Sequence, residues 1–170
     1  MKTIHGYTWV PSPLGSILLV ASGDALCGLY FGDQKYFPGI DGTWQQDESR
    51  PVLRAARRQL DEYFAGSRKR FDVPLAPNGT PFQRDVWNAI AQVPWGETST
   101  YSALALRVGH AGSARAVGAA TGRNPLCIIV PCHRIVGSNG SLTGYAGGLE
   151  RKQKLLALER SSFALAQRAA

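Results

Sequence analysis

Acidic residues are scarce in one half of this 170-residue chain. Residues 86–170 hold three Asp or Glu against nine Lys or Arg, whereas residues 1–85 hold nine against ten. The net charge of +7 therefore sits almost wholly in the C-terminal half, where an acidic partner is expected to dock. Long apolar runs are missing as well. None approaches the roughly 20 residues of a membrane-crossing helix, and Met1-Lys2-Thr3-Ile4-His5 lacks the apolar stretch of an export signal. The expected setting is cytoplasmic, with no membrane partner. Three cysteines make no disulfide framework and suit free thiols in a reducing compartment. Cys-x-x-Cys and His-x-x-x-His spacings are absent, so no zinc site is expected, and no nucleotide-triphosphate loop is found.

What is present reads as an α+β chain in two parts. Tyr7–Val10, Ser16–Ala21 and Ala25–Phe31 are short β-prone runs, the last two joined by the hairpin signal Ser22-Gly23-Asp24. Residues 32–49 are polar and Gly-rich, as a loop would be. Leu53, Ala56, Leu60, Tyr63 and Phe64 recur at helical spacing, with Gly66 placed to stop that helix. Phe71-Asp72-Val73 offers one more strand. The Pro-rich stretch 74–81 is the natural boundary, giving domains 1–78 and 79–170.

The second part opens with Thr80, Pro81 and Gln83, the residues of a capping box. Phe82, Val86, Ala89, Ile90 and Val93 form the buried stripe of the helix that follows. Two short helices, about 100–108 and 113–121 with Ser113 as N-cap, flank a turn holding Gly109 and Gly112, a helix-turn-helix pattern. The second helix, Ala114-Arg115-Ala116-Val117-Gly118-Ala119-Ala120, has one long side chain. It either packs closely on a core or brings its backbone near a narrow groove; it is too lean to read major-groove base edges. Leu126–Val130 is an uninterrupted apolar run, the pattern of a buried strand. Pro131-Cys132-His133-Arg134 follows, and a last helix spans about 149–160.

A cysteine attacks as its thiolate, and an ordinary thiol with a pKa of about 8.5 is mostly protonated at neutral pH. Cys132 has His133 beside it as a base, and Glu159 on the last helix supplies an acid that could hold an imidazolium. By pattern alone a Cys-His pair is more often structural. Cys27 and Cys127 read as inert core thiols.

The run Ile128-Ile129-Val130-Pro131-Cys132-His133-Arg134-Ile135-Val136, with Gly-Tyr-Ala-Gly-Gly at 144–148, resembles the O6-alkylguanine-DNA alkyltransferases. The resemblance covers about Pro81 to Glu159. It implies a ribonuclease H-like N-terminal domain and a helical C-terminal domain with a winged-helix-like helix-turn-helix. It makes Cys132 the alkyl acceptor, His133 the base that reaches the sulfur through a water, and Glu159 the acid orienting His133. Asn124 braces the turn before the active-site segment, and Tyr101 helps rotate a phosphate and protonates the leaving guanine. Arg115 fills the space of the flipped nucleotide, and Ala114, Ala116, Gly118, Thr121 and Arg123 join Tyr101 at the DNA. Thr143, Gly144, Tyr145, Ala146, Ile135 and Cys127 make the substrate pocket.

The implied activity is a single-turnover transfer from O6-alkylguanine, and from O4-alkylthymine as a second substrate, in duplex DNA bound through its minor groove. The protein would be monomeric in solution, cooperative on DNA, and free of cofactor and metal. The chain departs from some relatives at Ala146, where they carry Ser, and at Cys127, where they carry Pro. The alternatives are a lesion-binding protein that transfers nothing and a Cys-His-Glu hydrolase unrelated to DNA.

Overall fold

The computed structural model describes residues 4–161. The sequence-based domain limits also include residues 1–3 and 162–170, which lie outside the described residues.

Three strands form the N-terminal sheet: β1 (His5–Val10), β2 (Ile17–Ser22) and β3 (Ala25–Phe31). They pair antiparallel in sequence order, and Gly23, at φ 59°, makes the tight β2–β3 turn. A fourth strand was not expected. β4 (Gln45–Gln46) adds to the outer edge of β1 in parallel, inside the stretch that composition marks as loop. Two exposed glutamines carry no hydrophobic pattern, so only the backbone pairing reveals it. Conversely, residues 71–73 form no strand. The sheet is instead met by the next residues, where the Leu26 N–H donates to Pro74 O and the Ala76 N–H donates to Leu26 O, both at 2.8 Å.

Helix α1 (Pro51–Phe64) lays Leu53, Ala56, Leu60, Tyr63 and Phe64 on the sheet, and Gly66 ends it at φ 78°. Helix α2 (Pro81–Ala91) starts with the expected capping box: Thr80 Oγ1 accepts from the Gln83 N–H, and Gln83 Oε1 accepts from the Thr80 N–H. Its buried face includes Trp87, whose Nε1 donates to Ala120 O at 2.8 Å. Strand β5 (Ser99–Thr100) leads into α3 (Tyr101–Arg107), and α4 (Ala114–Gly122) follows the Gly109/Gly112 turn. Thr100 caps α3 with its hydroxyl, but Ser113 makes no such bond to α4. β6 (Ile135–Val136) pairs in parallel with β5, and α5 (Leu149–Ser161) closes the described chain. One hydrophobic core joins residues of both halves.

The clearest correction falls at 126–130. Four of its five residues are buried and Ile129 partly so, yet the run is a coil of tight turns touching β3 through a single bridge, Leu29 to Leu126. The Ile129 N–H donates to Cys127 O at 2.8 Å, and the Val130 N–H to Leu126 O at 2.9 Å. Ile128 has φ 72°, which a β-branched residue adopts only under strain. Continuous apolarity reports burial, not extension, and a buried turn satisfies it equally well.

Candidate active site

Asn124 shapes the turn that presents the nucleophile. Its Nδ2 donates to Val130 O at 2.8 Å and its Oδ1 accepts from the Leu126 N–H at 2.9 Å, so one side chain clamps both ends of the coil. Strain at Ile128 persists because that clamp and the surrounding core over-determine the backbone. Beyond Pro131 the chain makes a single 3₁₀ turn, Cys132–Arg134, before β6. That turn aims Cys132 one way and the next two side chains into the core.

Cys132 is 4% exposed yet lines a cavity of ≈ 620 Å³. One wall is the lean face of α4, with Gly118, Ala119, Thr121 and Gly122; another is the 143–146 loop, with Tyr101 between them. Tyr101 Oη donates to Thr143 O at 3.1 Å, and burial raises its pKa, so the phenol keeps its proton. The Tyr145 hydroxyl is buried and has no partner among the described residues. Ile135 and Cys127, expected in the pocket, do not line this cavity. Cys127 Sγ instead donates to Gln34 Oε1 at 3.5 Å. Thr121 reaches the cavity, although its hydroxyl is committed to Val117 O at 2.7 Å. Arg115 and Ala116 are exposed on α4, Ala114 is half-buried, and Val117 and Ala120 face the core. The core-packing reading of this helix therefore holds on one face, and the other face is open to solvent.

Behind Cys132 lies a buried ionic cluster. His133 Nε2 and Glu159 Oε1 are 2.7 Å apart. Glu159 Oε1 also accepts from Tyr63 Oη at 2.8 Å and Arg134 Nη2 at 2.9 Å, while Oε2 accepts from Arg134 Nε at 2.8 Å. Burial pushes the Glu159 pKa up, but His133 and Arg134 together outweigh it and hold the carboxyl at about 2. Burial lowers the pKa of His133 against the pull of Glu159, so the imidazole is neutral at pH 7. Facing an ionised carboxylate, its one proton belongs on Nε2. Nδ1 is then a basic lone pair, buried without a partner among the described residues.

The thiol itself is tuned. A hydrogen bond from Cys127 lowers the Cys132 pKa most; burial opposes it, and Asn124 and the Lys152 charge lower it further. Burial and the interaction with Cys132 drive the Cys127 thiol well upward, so Cys127 keeps its one proton, which Gln34 Oε1 and Cys132 Sγ compete to accept. Lys152 is fully buried, with Nζ donating to Ile135 O (2.6 Å), Thr143 O (2.9 Å) and Gly144 O (3.1 Å). Burial brings its pKa down to about 8, with Cys132 opposing. Sequence reasoning assigned no role to Lys152, Arg134, Tyr63 or Gln34. A signal existed for Lys152, which sits three, four and seven positions before Leu155, Leu156 and Glu159, on the buried stripe of α5.

Comparison with known proteins is decisive. The family model described as 6-O-methylguanine DNA methyltransferase, ribonuclease-like domain, matches residues 6–77, and its DNA binding domain matches residues 81–161. The chain belongs to the 6-O-methylguanine DNA methyltransferase family. It is 48% identical to the methylated-DNA–protein-cysteine methyltransferase of Methanosarcina acetivorans over 155 residues, covering 91% of this chain and 98% of that one. The Haemophilus influenzae protein of the same name is 42% identical over 158 residues, covering 92% and 87%. A crystal structure of Mycobacterium tuberculosis OGT in complex with DNA superposes with a TM-score of 0.86 at 43% identity, over 93% of this chain and 94% of that one. The family's mixed fold, a ribonuclease-like part followed by a DNA-binding part, is the α+β architecture expected from the sequence.

Proposed function

We propose that the chain repairs DNA by direct reversal, moving the alkyl group of O6-alkylguanine onto Cys132 Sγ once per molecule. The observation that carries this is a thiol with a lowered pKa on the lining of a cavity, backed by a buried His133–Glu159 pair. His133 Nδ1, through a water, takes the thiol proton, and the imidazolium so formed is held by Glu159. The thiolate attacks the alkyl carbon, the carbon–O6 bond breaks, and its electron pair stays with the base. Tyr101, still protonated, supplies a proton to the departing guanine, and the His133 imidazolium returns one through water to the phenolate, so that in sum the thiol proton ends on the base. A thioether is stable in water, so the protein is consumed. O4-alkylthymine presents the same carbon–oxygen bond to the same thiol.

The lesion oxygen lies inside a duplex, so the nucleotide must leave the stack at a cost of a few kcal/mol. The lean α4 face fits a minor groove, with Ala116 presented outward, Gly118 adding no side chain and Arg115 free to enter the gap. Arg123, at the end of α4, adds charge near the backbone. The protein acts as a monomer that assembles cooperatively on DNA, in the cytoplasm, without metal or cofactor. No described helix is long and apolar enough to cross a membrane. Among the described residues no group of three or more His, Cys, Asp or Glu could hold a metal ion.

A lesion binder that transfers nothing would need neither the tuned thiol nor its buried relay. The test is stoichiometry. With excess O6-methylguanine duplex, repair is expected to stop at one lesion per protein molecule; continued turnover on DNA or on small esters would favour a hydrolase.

A further inference from the structure

The segment leaving β3 belongs to the N-terminal half, and the reaction above gives it no task. It nevertheless reaches the cavity mouth. The Lys35 N–H donates to Ala146 O at 2.9 Å, tying the segment to the pocket loop, and both Lys35 and Tyr36 line the cavity. Tyr36 has φ 62° and is 45% exposed. A bulky residue in that backbone region is strained, and burial of its ring offers little compensation. The Arg123 guanidinium carbon lies over the Tyr36 ring, 3.7 Å from its centroid, and Lys35 Nζ lies over the same ring at 5.0 Å. One ring from the N-terminal half thus gathers a cation from each half.

A guanidinium stacked on an aromatic face keeps its in-plane N–H groups free to donate. Among the described residues, neither Arg123 nor Lys35 pairs its charged head with a carboxylate or donates it to a protein oxygen. Two cations with unspent donors, fixed by one ring at the rim of a cavity, match a phosphodiester: charged, with two oxygens to accept. We propose that Lys35, Tyr36 and Arg123 form a phosphodiester clasp, through which the N-terminal half holds the DNA backbone beside the nucleotide entering the cavity. This rests on the alkyl-transfer reading above. It adds Lys35 and Tyr36 to a DNA interface otherwise drawn wholly from the C-terminal half, and it gives the strain at Tyr36 a function.

The test measures affinity for an O6-methylguanine duplex at several salt concentrations, and single-turnover rates on that duplex and on free O6-benzylguanine base. Lys35→Gln keeps the backbone bond to Ala146 and is expected to reduce the log–log salt slope by about 0.9, the loss of one phosphate contact. Tyr36→Ala is expected to weaken duplex binding by about two- to fivefold, the worth of an exposed cation–π pair, and Tyr36→Phe to restore it. The ratio of duplex rate to free-base rate should fall in both Lys35→Gln and Tyr36→Ala. Unchanged slopes and ratios would overturn the clasp, and a drop in melting temperature without them would assign the stack to packing alone. Should the parent protein take no benzyl group from the free base and no methyl from the duplex, the transfer reading itself fails, and the clasp with it.

Discussion

Glu159 accepts four hydrogen bonds from three side chains, and its carboxylate is the only acid in the buried cluster behind Cys132. Its folded pKa of about 2 lies below the ordinary 4.5, so the folded state favours the charged form. The resulting stability is complete above about pH 4.5 and is lost as pH falls toward 2, amounting to about 3 kcal/mol. Urea unfolding between those pH values should show this decline in the parent, and a much flatter one in Glu159→Gln. That variant also strands the Arg134 guanidinium, at a cost of about 3–5 kcal/mol. It should slow alkyl transfer by about a hundredfold, because the His133 base loses the carboxylate that holds its imidazolium, and thiol labelling of Cys132 near neutral pH should slow with it. An unchanged labelling profile would remove Glu159 from the relay.

Lys152 adds its charge to the thiol's surroundings and ties β6 to the pocket loop. Three carbonyls hold its ammonium within reach of the Cys132 thiolate. Lys152→Met should raise the Cys132 pKa, shifting the pH profile of thiol labelling to higher pH, while Lys152→Arg keeps the charge and shifts it less. These residues were hidden in the sequence for a physical reason. Arg134 stands in the very run that carries the resemblance, and Lys152 in the apolar phase of α5. Whether a buried cation is tolerated, however, depends on partners that only folding brings near: Glu159 and the Val93 carbonyl in one case, the carbonyls of Ile135, Thr143 and Gly144 in the other. Cys132, His133 and Glu159 were legible through the Pro-Cys-His-Arg resemblance, since by pattern alone a Cys-His pair reads as structural.

At the scale of elements, α4 has the plainest division of labour. Val117 and Ala120 are buried, while Arg115, Ala116 and Ala119 face outward. Ala116→Leu should leave thermal stability within about 0.5 kcal/mol yet weaken duplex binding at least tenfold, because a groove tolerates little bulk. Unaltered affinity in a binding titration would mean that this face is not the one on DNA. Arg115→Ala should depress repair of duplex DNA much more than reaction with the free base; equal losses would remove the finger role. The helices were readable from periodicity and from caps such as Thr80 and Gln83, because those signals are local. The 126–130 coil was not. Its conformation is dictated by two bonds to Asn124 and by the positive φ of Ile128, and neither leaves a mark on hydrophobicity.

Across the whole molecule, the N-terminal half serves the site from behind as well as at its rim. Tyr63 on α1 reaches Glu159, and Gln34 beyond β3 meets Cys127. Arg151 on α5 donates to Leu14 O at 2.8 Å and lies over Phe31, its guanidinium carbon 4.4 Å from the ring centroid. Tyr63→Phe removes one buried donor and should cost about 1–2 kcal/mol in urea unfolding, with a measurable slowing of transfer although Tyr63 lies outside the cavity. The charge imbalance between the halves raised the expectation that an acidic partner meets the C-terminal half, but composition could not foresee that one ring of the near-neutral half would sit against an arginine of the basic one.

The central claim is that Cys132 is an acceptor used up by its own reaction, and intact-protein mass after incubation with an O6-methylguanine duplex tests it most directly. The expected result is a gain of one methyl group per molecule, mapped to Cys132, with no gain in Cys132→Ala. A methyl group accepted equally well by that variant, or parent protein that clears many lesions without changing mass, would contradict the account.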